Sequence, residues 1–373
     1  MINNMSKKKI VLVVGARPNF MKSAPLLNEL EKNNDFFENI LIHTGQHYDS
    51  NLSDFFFEDL KMQKSDIYLG IGSGTHAEQT GNIMIALEKE LIKIQPDLVI
   101  VFGDINSTLA TAIVTSKLDL KLAHIEAGLR SFDNRMPEEI NRIVTDRLAD
   151  YLFVTEKVGV DNLINEGVAK DKIHLCGNIM IDALMNNIKL AQKSNILTKL
   201  SLNSKEFVTV TLHRPSNVDN KEIFEKLIGI LLDISKKYKI IFPCHPRTYK
   251  KLKEFSILDK VSSDNFRIIE PLGYHDFLKL MESSKFIISD SGGIQADATY
   301  LKIPCLTLRE TTEQPSTIEQ GTNTLCGNSK ELIKEKVDEI ISGKYKSGEM
   351  PDLWDGKTSE RIVKILREKL YFT

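Results

Sequence analysis

The run Leu98-Val99-Ile100-Val101-Phe102-Gly103-Asp104-Ile105-Asn106-Ser107-Thr108 decides the fold class. Five consecutive apolar residues leave no polar face for water, so this strand is buried on both sides, as in a parallel sheet covered by helices. Glycine and aspartate end the strand, and a helical pattern follows over 107–117. The same alternation runs outward in both directions. Apolar strands are expected at 10–14, 40–43, 122–125 and 151–154, and helices at 18–32, 75–94 and 137–149.

A polar stretch at 193–206 carries no strand signal and reads as a linker, after which the pattern restarts. Strands are expected at 207–212, 240–243, 266–269, 286–289 and 305–308, with helices at 274–283 and 293–301 between them. The fold class is α/β, with two doubly wound Rossmann-like domains, 1–190 and 200–355, facing a cleft. A last amphipathic helix within 357–373 returns to the first domain. In open parallel sheets ligands bind beyond the carboxyl ends of the strands, which is where the distinctive motifs of this chain lie.

Composition narrows the function. The 373 residues fit about two domains, and 49 basic against 51 acidic residues leave a net charge of −2. No broad basic surface exists to neutralise a nucleic-acid backbone. The four cysteines form no C-x-x-C pair, so reduced, buried thiols are expected rather than a zinc ribbon. His43 and His47 flank a strand end with no third ligand nearby, so no metal is expected. No apolar run approaches the roughly 20 residues that span a bilayer, and 10–14 is too short for a signal-peptide core. The expectation is a soluble, cytoplasmic protein.

The first strand ends in Gly15-Ala16-Arg17-Pro18, where Pro18 suits a helix start and Arg17 with free N–H groups makes an anion site. There is no G-x-G-x-x-G and no P-loop. Asp104 and Glu126 project from neighbouring strand ends. A helix cap would be reason enough for Asp104, whereas Glu126, between an apolar strand and a glycine turn, is partly desolvated, which raises a carboxyl toward the range useful for proton transfer. Glu138 and Glu139 lie in the first turn of the next helix, where they complement its dipole, but their loop leaves the same strand end as Glu126. In the second half His213-Arg214 and His245-Pro246-Arg247 follow strands. The run Asp290-Ser291-Gly292-Gly293 opens a helix whose free N–H groups suit a phosphate, with Asp297 placed on its first turn to accept from a ribose hydroxyl.

Taken in order, Gly15–Lys22, Gln46-His47, 103–108, 124–130, 137–142, 177–182, His213-Arg214, 290–295 and 309–313 resemble the non-hydrolysing UDP-N-acetylglucosamine 2-epimerase family, of glycosyltransferase-B architecture. The resemblance implies that UDP is held by Arg17, Ser291, Gly292, Gly293 and Asp297, the last standing where members usually have Glu. It places Lys22 and His213 near the diphosphate and sugar, with His213 among the catalytic groups. Arg142, His245 and Phe277 are implied as substrate-binding, and Asp104, Glu126 and Glu138 as catalytic carboxylates. The implied chemistry is anti elimination of UDP to a 2-acetamidoglucal and syn re-addition, without metal or redox cofactor, in a homodimer.

Gln46-His47-Tyr48-Asp49 and Ser73-Gly74 depart from the segments with which activated bacterial members bind a second nucleotide sugar, and Gln314 stands where many carry Arg. Parts of the first domain look closer to the branch acting on UDP-2,3-diacetamido-2,3-dideoxyglucuronate. A hydrolysing epimerase, a glycosyltransferase and a non-catalytic binding module are the competing readings.

Overall fold

The computed structural model describes residues 6–46, 64–261 and 263–372, and of Arg17 the backbone alone. The expectations placed on His47, Tyr48, Asp49 and the Arg17 guanidinium lie outside the described residues. The chain forms two compact units, Met1–Asn186 with Asp352–Thr373, and Asn187–Pro351.

The first unit is built on a parallel sheet of β1 (Lys8–Val14), β2 (Phe37–His43), β3 (Ile67–Tyr68), β4 (Leu98–Phe102), β5 (Leu122–Ala127), β6 (Tyr151–Val154) and β7 (Ile173–Leu175), in the order β3-β2-β1-β4-β5-β6-β7. Residues 98–102 are all 0% exposed, as the unbroken apolar run requires. The order reverses between β1 and β4, so the turns after these two strands border the switch point. Those turns pack tightly: a Cβ on Gly15 would lie 2.1 Å from the Ser107 Oγ, so only glycine fits. β5 runs beyond the expected 125 and takes in Glu126, where the register with β6 shifts at a bulge and Glu126 adopts φ 74°.

The second unit repeats the plan with β8 (Phe207–Thr211), β9 (Lys239–Pro243), β10 (Phe266–Ile269), β11 (Phe286–Ser289), β12 (Cys305–Thr307) and β13 (Asn323–Leu325), in the order β10-β9-β8-β11-β12-β13. Its switch point lies between β8 and β11, the strands that lead to His213 and Asp290. The stretch 193–206 is not a bare linker. It contains the short helix Ile196–Lys199, and Leu197, Leu200 and Leu202 pack on the buried Phe207, Ile241 and Leu280. Its leucines were diluted by polar neighbours and gave no strand or helix period.

All four cysteines are free and buried, and burial pushes each thiol up to about 12, which keeps them unreactive. No helix among the described residues is long and apolar enough to cross a membrane.

The last helix, Thr358–Tyr371, belongs to the first unit and packs on the helix Arg17–Lys32. Buried Asp182 caps it across 176 residues of chain, accepting from the Thr358 N–H at 3.1 Å, the Ser359 N–H at 2.8 Å and the Ser359 hydroxyl. Removing a buried carboxylate that satisfies these donors leaves them unpaired. Asp182→Ala should cost about 2 kcal/mol, read as a lower urea midpoint at unchanged m-value.

Candidate active site

In the first unit the turns after β1, β4 and β5 bring four charged side chains together. Lys22, on the helix Arg17–Lys32, forms an ion pair with Glu126, and each side chain is only 11% exposed. Gly103 makes room for the pair, since a Cβ there would fall 2.8 Å from Lys22 Nζ and 3.2 Å from Glu126 Oε2, and its φ of 60° also favours glycine. The ammonium compensates for the water that Glu126 loses on burial. Beside Gly103, the Asp104 carboxylate is held by Arg142 Nη2, while Arg142 Nη1 donates to Glu139 at 2.9 Å. Asp104 remains a quarter exposed; Arg142 and Glu139 are buried.

Asp104 does not cap the following helix Asn106–Lys117, whose N-cap is Ile105. The first-turn donors go instead to Gln46, whose Oε1 accepts from the Ser107 N–H at 2.8 Å and the Ser107 hydroxyl at 2.6 Å. The helix-capping account of Asp104 therefore falls away, and its carboxylate is turned to Arg142. Of the two first-turn glutamates, Glu139 is the one drawn in: it accepts from the Ser131 N–H and hydroxyl at 2.9 Å and from the Phe132 N–H at 3.0 Å. Glu138 is exposed, with no ion pair among the described residues. Arg142, implied as a substrate contact, has its guanidinium spanning Asp104 and Glu139.

In the second unit Asp290 organises the switch point. Fully buried, it accepts from the His213 N–H at 3.0 Å, the Arg214 N–H at 2.9 Å and the Asn217 amide at 3.1 Å. Its Oδ1 lies 2.9 Å from His213 Nδ1, which fixes the ring and leaves Nε2 as the working nitrogen. Burial alone would raise the Asp290 carboxyl, but the hydrogen bond and charge of His213, with the Arg214 and Asn217 donors, hold it below its ordinary value. Asp290 escaped the list of site residues because only its contacts with the strand opposite reveal its task.

The helix Gly292–Tyr300 starts immediately after, with Ser291 at the N-cap making no side-chain cap bond and open space around Gly293. Its first N–H groups have no intrahelical partners and suit an anion. Arg309 Nη1 comes within 3.6 Å of a Cβ position on Gly292, and forms an ion pair with Glu313 at 2.6 Å that lacks the direction of a hydrogen bond. Gln314 donates to the Gly292 carbonyl at 3.3 Å, an uncharged neighbour for the helix start. His245 caps the helix Pro246–Glu254, accepting from the Arg247 N–H at 3.2 Å, and its ring lies 6.1 Å from that of His213. Phe277 is half-buried on the helix Tyr274–Ser283. Among the described residues no group of His, Cys, Asp and Glu side chains is arranged to hold a metal ion.

This arrangement, two switch points with acidic groups at one and a His–Asp pair beside an open helix start at the other, has known counterparts. A family model described as UDP-N-acetylglucosamine 2-epimerase matches residues 28–367. A UDP-N-acetylglucosamine 2-epimerase of Methanocaldococcus jannaschii is 45% identical over 96% of this chain and 98% of its own. A crystal structure of the enzyme of that name and organism, in complex with UDP-GlcNAc and UDP, superposes with a TM-score of 0.89 at 44% identity, covering 96% of this chain and 99% of that one. A UDP-2,3-diacetamido-2,3-dideoxy-D-glucuronate 2-epimerase of Pseudomonas aeruginosa is 37% identical over 96% of this chain and 99% of its own. The chain belongs to the UDP-N-acetylglucosamine 2-epimerase family.

As a member of that isomerase family it carries one conspicuous orphan. Asp297 lies in the second turn of its helix, not the first as expected, because the helix already begins at Gly292. Asp297 is 6% exposed, its Oδ1 has no partner, and burial pushes its carboxyl up to about 7. With the unfolded value at about 4, its contribution to stability is full below that pH and is lost as pH rises through about 7. Comparing urea unfolding at pH 5 and pH 8, Asp297→Asn should remove a pH-dependent loss on the order of 2–3 kcal/mol.

Proposed function

We propose that this protein is a non-hydrolysing UDP-N-acetylglucosamine 2-epimerase, interconverting UDP-GlcNAc and UDP-ManNAc as precursors for cell-surface polysaccharide. The observation that carries the reading is the placement of Glu126, paired to Lys22, and Asp104, paired to Arg142, at neighbouring strand ends of one switch point. Inversion at C2 of a UDP-sugar is not a simple proton exchange, because no carbonyl lies beside C2 to stabilise a carbanion. Elimination solves this. A carboxylate takes the C2 proton, the C–H pair forms the C1–C2 double bond, and the C1–O pair leaves with UDP.

UDP then adds back while a proton is delivered to the other face of C2. The reaction needs two acid/base groups and cationic or N–H stabilisation of the leaving diphosphate. Asp104 and Glu126 serve as the pair, with Glu138 assisting from the helix start. His213, aimed by Asp290, and the N–H groups after Ser291, at Gly292 and Gly293, stabilise UDP with Arg17 and Lys22. Asp297 accepts from the ribose, which gives its unpartnered oxygen a donor, and Phe277 and His245 line the nucleotide. Arg142 acts by fixing Asp104. No cofactor enters.

In deuterated water the protein should place deuterium at C2 of UDP-GlcNAc as the manno epimer appears, by proton NMR. Glu126→Gln should lower that exchange by roughly a thousandfold while UDP binding persists. Stoichiometric release of free UDP and N-acetylmannosamine would mark hydrolysis and refute the reading. The 37% identity to the Pseudomonas aeruginosa enzyme supports a second reading, with UDP-2,3-diacetamido-2,3-dideoxyglucuronate as substrate; exchange at C2 of that sugar alone would select it.

A homodimer is supported by an apolar stripe on the first unit. Ile85 (60% exposed) and Ile92 (56%) on the helix His76–Ile94, and Ile140 (50%) on the helix Pro137–Leu148, are more exposed than large aliphatic side chains usually are. Light scattering should give a dimer mass that Ile85→Glu with Ile92→Glu halves. Four buried free thiols suit the reducing cytoplasm.

A further inference from the structure

Beneath the Gly103 turn runs a buried chain of polar contacts that none of the proposed proton transfers uses. His124, on β5, is fully buried; its Nε2–H donates to the Gly103 carbonyl at 2.8 Å and its Nδ1 pairs with Asp146 at 2.6 Å. The other Asp146 oxygen accepts from the Gly128 N–H at 3.0 Å and from Arg130 Nη1 at 2.7 Å, and Arg130 continues to Glu166 through two contacts of 2.7 Å. These contacts sit at fixed offsets around Glu126: His124 two residues before it, Gly128 two after, and Gly103 opposite, its N–H donating to Ile125 at 3.0 Å. Glu126 occupies a left-handed conformation in a bulge, which persists only where its surroundings over-determine it. Asp104, on the other side of the reaction, is bonded directly to Gly103.

We propose that His124 and Asp146 are positioning residues that set the separation of the two acid/base carboxylates, by clamping the Gly103 carbonyl and the Gly128 N–H on either side of Glu126. This rests on the epimerase reading and assigns to both residues a role without substrate contact. The two nitrogens of His124 can be tested apart. A glutamine amide reaches the Nε2 position and still donates to Gly103, whereas an asparagine amide reaches only the Nδ1 position facing Asp146.

The expected result for His124→Asn is a kcat for C2 exchange lower by roughly 100-fold, with KM and UDP affinity within about threefold of wild type, and for His124→Gln recovery to within about tenfold. Asp146→Asn, which keeps the shape and loses the charge, carries the same separation of kcat from KM and serves if His124→Asn does not fold. Equal turnover of the Asn and Gln variants, or a loss that appears only in KM or in thermal stability, overturns the proposal. Wild-type protein without C2 exchange on any UDP-sugar overturns the epimerase reading instead, and an active wild type with an unaffected His124→Asn variant overturns the clamp alone.

Discussion

Helices leaving β1 and β4 depart to opposite faces of the sheet, because the strand order reverses between them; the same holds for β8 and β11. A parallel sheet with this reversal cannot cover the carboxyl ends of those strands with its own connections. Backbone groups and side chains in these turns are therefore the ones available to a ligand, and they must be held by contacts across the gap. Gly15 against Ser107, Lys22 against Glu126 and His213 against Asp290 are all such contacts. Each joins the turn after one switch-point strand to the turn or helix start that follows another strand, so the switch point is also where each unit is pinned together.

The two units solve opposite electrostatic problems with that common frame. The first buries carboxylates and gives each one a cation: Lys22 for Glu126, Arg142 for Asp104 and Glu139, Arg130 for Asp146. Truncating a single member would leave an uncompensated buried charge, so these pairs make the positions of their partners rigid. The second unit instead leaves groups unpartnered near the start of the helix Gly292–Tyr300. Asp297 Oδ1, Gln295 Nε2 and Gln314 Oε1 are buried without hydrogen bonds, which native proteins seldom tolerate unless another molecule supplies the partner. A carboxyl pushed up to about 7 by burial measures the cost of that arrangement.

The central strands were legible because burial on both faces writes them as unbroken apolar runs. 98–102, 151–154, 266–269 and 286–289 coincide with observed strands, and the helix at 274–283 does too. The edge strands β3, β7 and β13 were not, since two or three half-exposed residues leave no pattern above background. At the site, the strand-end carboxylates were legible from their place after apolar runs. Which of Glu138 and Glu139 turns inward was not, because both satisfy the helix dipole and the choice is made by Ser131 and Arg142, several residues away on either side. Nor was the capping of the helix Asn106–Lys117 by Gln46, a contact over 61 residues that no local rule describes.

Glu126 shows how these levels join. An apolar strand that simply continued would place its side chain by the alternation of the pleat, and a one-residue register change would turn it to the opposite face. The bulge and the left-handed φ re-aim that carboxylate, at a cost of about 1–3 kcal/mol for a non-glycine residue. Glycine at 126 would relieve the strain but remove the carboxylate; glycines instead occupy 103 and 128, where the left-handed turns around it carry no functional side chain. The sequence His124-Ile125-Glu126-Ala127-Gly128 is thus a compromise in which the strained position is given to the one residue whose chemistry justifies it, and the flanking histidine and glycine hold it there.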